Sequence, residues 1–142
     1  MRSRETINAP EALVLTMVLV SAADGGMTDR EIGIMAGLVQ TLPAFHDFTT
    51  AELASVTERA ANLLHDDDGL AHAGRLMRNA LTLKLRETAY ALACEVVAGS
   101  DGVGRQSLEM LEFVRSELGL DTLVSAAIER GVRARYQRVD QG

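Results

Sequence analysis

Tryptophan is absent from this chain, cysteine occurs once, proline twice, and aromatic residues make up 4% of the sequence. Each scarcity removes a class of structure. With Cys94 alone, no intrachain disulfide can form, and its apolar neighbours mark it as a small core residue instead of a reactive thiol. Two prolines, Pro10 and Pro43, leave long stretches free to run helical. Ala, Leu, Met, Glu and Arg take the place of aromatics, and these side chains lose little rotamer freedom in a helix. Catalytic signatures are missing as well. None of His46, His65 and His72 lies in a His-Glu-x-x-His pattern or at zinc-ligand spacing from Cys94. There is no Gly-x-x-x-x-Gly-Lys loop, and Gly102-Val103-Gly104 is too short for a dinucleotide motif and follows a helical pattern, not a strand. Nothing in the sequence points to an enzyme. Positive charge is also scarce: the net charge is −6, which speaks against nucleic acid as a partner. Arg130, Arg133, Arg135 and Arg138 do crowd the C-terminal end, where they complement the negative end of a last helix; a partner patch is the alternative.

What the chain has is apolar residues at helical spacing, 47% of 142 residues, enough for the core of a single domain. Its first apolar run, Ala12 to Val20, follows Arg2 and Arg4 and precedes Ser21-Ala22-Ala23, as a secretory signal would. Glu5 and Glu11 interrupt that pattern, and a similar run recurs far inside the chain, so the segment is read as a buried helix of the mature protein. It is too short to span a bilayer. The recurrence is a degenerate repeat. Residues 11–25 match residues 88–102 at an offset of 77, pairing Ala12, Leu15, Leu19 and Val20 with Ala89, Leu92, Val96 and Val97, and Asp24-Gly25 with Asp101-Gly102. Beyond the glycine the offset falls to 76, and Met27, Ile32, Ile34, Met35, Leu38 and Leu42 pair with Val103, Leu108, Met110, Leu111, Val114 and Leu118.

Start and stop signals divide the remainder. Thr28 with Glu31 and Thr49 with Glu52 have the spacing of capping boxes, and Met27 and Ile32 stand at the staple positions. Pro43 separates the second helix from a third ending near Leu64, and His65-Asp66-Asp67-Asp68-Gly69 breaks the chain again. Further helices are expected over about 70–81, 84–98 and 105–118, with Gly119 as a stop and Asp121 capping a seventh that ends near Tyr136. The expectation is an all-α, compact bundle of about seven helices with two pseudo-symmetric helix–Asp-Gly–helix halves. It forms one domain over residues 1–142, with residues 1–7 and 137–142 as flexible tails.

The candidate chemistry is acid placed at turns. Asp24 and Glu31 flank the Gly25-Gly26 pair, which can fold a carboxylate back toward the next helix, and hard cations take several such oxygens. The alternative is structural: Asp24 holds the turn and Glu31 completes the capping box. In the second copy Asp101 remains, Ser107 replaces Glu31, and Glu109 or Glu112 could supply the missing oxygen. Asp68 and His72, four residues apart, are a further candidate pair, with a surface hydrogen bond or a cap as the plainer reading.

The stretch Ala23-Asp24-Gly25-Gly26-Met27-Thr28-Asp29-Arg30-Glu31 resembles the TerB-like tellurite-resistance domains. Arg86 to Glu95, followed by Ser100-Asp101-Gly102 and Leu118-Gly119-Leu120, is similar to that family's second half. The resemblance covers most of residues 8–136 and departs from the family after Gly102, where one residue is missing, and at Ser107. It implies an all-helical bacterial domain with two related halves, active in the cytoplasm in tellurite and chemical stress. It also implies a divalent cation, calcium foremost, at Asp24, Glu31 and Asp101, and a protein partner or a second copy of the chain; Glu109 as a substitute ligand comes from the residues alone. Membrane insertion is not implied, although peripheral association is compatible with it. The competing expectation is a purely structural interaction or dimerisation domain whose acids only cap helices.

Overall fold

The computed structural model describes residues 6–23, 25–100 and 104–140. Asp24 and Asp101 lie outside that set. Among the described residues there are seven α-helices and no strand: α1 (Ala9–Ala22), α2 (Asp29–Thr41), α3 (Thr50–Leu64), α4 (Gly69–Ala80), α5 (Leu83–Gly99), α6 (Arg105–Leu118) and α7 (Thr122–Arg135). A short 3-10 turn, Pro43–Phe45, joins α2 to the segment before α3 and turns Phe45 into the core. The chain is therefore all-helical, as its composition predicts, and α2 to α7 begin and end within a residue or two of their sequence signals, whereas α1 starts at Ala9, ahead of the apolar run that marks it.

Local chemistry explains most of the starts. Thr28 and Thr49 accept from the amides of Glu31 and Glu52, whose carboxylates return to the cap amides. The same box closes at Asn8 and Glu11, with Pro10 in the first turn of α1, a cap absent from the start signals given above. Asp121 accepts from the amides of Leu123 and Val124 and starts α7. Gly119 ends α6 at φ 66°, in the left-handed region open to glycine. Of the two staple residues, Met27 packs on the core while Ile32 is 45% exposed.

Two helices form the centre. In α1 all ten residues from Ala12 to Ser21 are buried, and α5 is buried over most of Ala89 to Gly99. A helix apolar on every side must be covered on every side. α1 packs along α5; α3, α4 and α6 cover α1, and α2, α6 and α7 cover α5. The four matched pairs of the repeat in these helices, from Ala12 with Ala89 to Val20 with Val97, are buried in both copies. Polar atoms within the core are satisfied locally: Thr16 donates its hydroxyl to the Ala12 carbonyl at 2.8 Å. Arg86 reaches the carbonyls of Arg78, Leu81 and Leu118, placing positive charge at the C-terminal ends of α4 and α6. No helix among the described residues is long and apolar enough to cross a membrane.

Candidate functional site

The elbow between α1 and α2 is built around one carboxylate. The capping box starts α2 immediately after the turn, so Glu31 points back toward the end of α1. Its Oε1 accepts the Thr28 amide at 3.0 Å and the Ser21 hydroxyl at 2.9 Å, and the side chain is 7% exposed. Oε2 accepts no hydrogen bond among the described residues. Gly25 and Gly26 form the turn at φ 118° and 129°, a backbone that a Cβ would strain. They border a cavity of about 550 Å3 whose walls include Leu19, Met27, Leu64, Leu70 and Met110. His65, exposed at the end of α3, stands on the same cavity. That neighbour of the glycine turn could not be read from the sequence, because it arrives through the packing of α3 on α1.

The other candidate ligands do not gather here as described residues. Glu109 is exposed on α6 and makes no hydrogen bond or ion pair among them. Asp68 precedes α4 without a side-chain cap, and His72 meets it only through its backbone amide, 2.9 Å from the Asp68 carbonyl. Among the described residues no group of three or more His, Cys, Asp or Glu side chains could hold a metal ion. Asp24 and Asp101 fall outside them.

A second polar assembly joins α5 to α7. These helices run in parallel, so partners 39 to 41 residues apart meet side by side. Glu95, 8% exposed, pairs through Oε2 with the Arg135 guanidinium at 2.7 Å, and its Oε1 accepts the Tyr136 hydroxyl at 2.7 Å. One turn toward the N-terminus, buried Tyr90 donates to Glu129. Burial, the bond to Glu129 and the negative charge of that carboxylate hold the Tyr90 phenol neutral far above its ordinary range. Cys94 lies beside it, and burial with Glu129 nearby pushes its thiol up to about 12, which agrees with a core residue. Tyr136 is raised too, by partial burial and by its bond to Glu95. One sequence signal could have flagged this cluster. Glu95 interrupts the apolar run Leu92 to Val97, and an acid in a central helix needs a partner from elsewhere.

The terminal arginines therefore divide. Arg135 neutralises Glu95, and Arg138 pairs with Asp140 at 3.1 Å. Compared with protein-family models, with curated proteins and with solved structures, the chain has no match in any of the three.

Proposed function

We propose that the chain is a non-enzymatic binding module of the TerB-like kind, working in the cytoplasm in a bacterial stress response. The α1–α2 elbow holds a divalent cation, calcium by preference, and the module docks a protein partner. The observation that carries this reading is the state of Glu31. A nearly buried carboxylate is fixed through one oxygen by Ser21 and Thr28, and its second oxygen accepts no hydrogen bond among the described residues. Such an oxygen fits a hard cation, provided other oxygens join it. Asp24, next to the glycine pair, is the residue that would supply a second carboxylate. The cation would neutralise both acids and link the end of α1 to the start of α2, beside the apolar cavity. In the second half, Ser107 replaces the glutamate and Ala98 stands where the repeat places Ser21, so cation binding is assigned to the first elbow alone.

Titration calorimetry with calcium on the wild type and on Asp24→Ala tests the proposal. Saturable heat in the wild type that disappears in the variant supports it, and absence of saturable heat in the wild type removes it. A specific observation favours a second reading. The Ser21 bond and the closed capping box already give Glu31 a structural task, so the acids could serve only the elbow in an interaction or dimerisation domain. That reading expects Asp24→Ala to lower thermal stability equally with and without calcium.

A further inference from the structure

Between α5, α6 and α7 lies a cavity of about 400 Å3, lined by none of the residues of the elbow cavity. That volume falls in the range of small-molecule sites. Its walls are apolar, with Val97 and Ala98 from α5, Leu108 and Leu111 from α6, and Val132 from α7. Leu108 is 54% exposed, a large apolar side chain left to water at the cavity. The polar groups on the lining are the Tyr90 hydroxyl, the Cys94 thiol, Glu112, Glu129 and Arg133.

The balance of charge decides what could enter. Glu112 is ion-paired to Arg115 on its own helix. Glu95, nearby on α5, is taken by Arg135 and Tyr136. Two charges remain without an ion pair among the described residues, Glu129 and Arg133. Arg133 is exposed and keeps its hydration, whereas Glu129 is half-buried and receives only a neutral donor, Tyr90. Arg115, committed to Glu112, acts on Glu129 only through space, so this carboxylate, partly withdrawn from water and without an ion pair of its own, carries a desolvation cost that a cation in contact would offset. Tyr90 cannot contribute charge, since its phenol stays neutral, and the Cys94 thiol is protonated and offers no covalent anchor.

We propose that this cavity binds a small molecule with an apolar body and one protonated amine, the body lying between Val97, Leu108 and Leu111 and the ammonium on the carboxylate of Glu129. The site is independent of the cation proposed at the elbow. Calorimetry at neutral pH with hexylammonium, hexanol and hexanoate tests it on the full chain. Hexylammonium is expected to bind about tenfold tighter than hexanol, the scale of one charge-assisted hydrogen bond, and hexanoate more weakly than either. Glu129→Gln keeps an acceptor for Tyr90 and should bring hexylammonium to the level of hexanol. Ala98→Leu fills the cavity and should weaken all three, with folding checked by circular dichroism. Should it fail to fold, the Glu129→Gln comparison still decides. No saturable binding of hexylammonium overturns the proposal, as does hexanoate binding at least as tightly. So does an ammonium preference that survives Glu129→Gln, or binding unchanged in folded Ala98→Leu.

Discussion

Glu31 occupies a position where an acid needs a reason to be. It is almost buried, it closes the capping box of α2 through Thr28, and it holds Ser21 at the far end of α1. Bonds to charged acceptors contribute about 1.5–3 kcal/mol, and leaving one partner buried alone adds a penalty. Ser21→Ala should therefore lower unfolding stability by about 1–2 kcal/mol in denaturant melts. In a double-mutant cycle with Glu31→Gln, the coupling should exceed about 0.5 kcal/mol; additive effects would show that the 2.9 Å bond carries no energy. Cys94 makes a prediction of a different kind. Its folded thiol titrates near 12 against an ordinary 9.0, so the folded chain retains a proton that the unfolded chain loses. This stabilising contribution is complete below pH 9.0 and is lost as pH rises toward about 12. Tyr90 and Tyr136, also raised, act in the same direction at still higher pH. Melting temperature should fall above pH 9.0, and Cys94→Ala should flatten the first part of that fall. Equal slopes in the two proteins would show that the thiol is not the group concerned.

Helix boundaries were legible because capping is local. Thr28 with Glu31, Thr49 with Glu52, Gly119 and Asp121 all act within four residues of where they stand, and each does in the structure what its spacing predicts. The Asn8–Glu11 box obeys the same rule, yet it sits before a run apolar on every face, where periodicity gives no helical stripe to anchor it. The caps also differ in what depends on them. Thr49→Ala releases an exposed box and should cost about 1 kcal/mol. Thr28→Ala frees the glutamate that also holds Ser21, so its cost in the same melts should be larger. Equal costs would mean that the elbow is not a coupled unit. What could not be read was any contact between elements. The pairing of Glu95 with Arg135 and Tyr136, and that of Tyr90 with Glu129, depend on α7 lying parallel to α5, a relation carried by no local spacing. The cavity between α5, α6 and α7 was hidden for the same reason.

At the scale of the whole molecule, two helices become central. α1 and α5, the two matched apolar runs, are the most enclosed elements and pack on each other. α2 lies on α5 and α6 on α1, while α3 covers α1 and α7 covers α5. α4 stands outside the exchange, and α2 packs on α3 where the corresponding α6 and α7 border a cavity. In sequence the copies diverge at Ser107 and Ala98, which stand in place of Glu31 and Ser21, and the proposed cation is assigned to the first elbow for that reason. The most direct test is the melting temperature with and without calcium, in the wild type and in Asp24→Ala. A cation bound only by the folded chain adds about 2.7 kcal/mol of stability when present at about one hundred times its Kd. A cation site at the elbow predicts that calcium raises the wild-type melting temperature and leaves the variant unchanged. A wild type indifferent to calcium, or a variant that gains as much as the wild type, would contradict it.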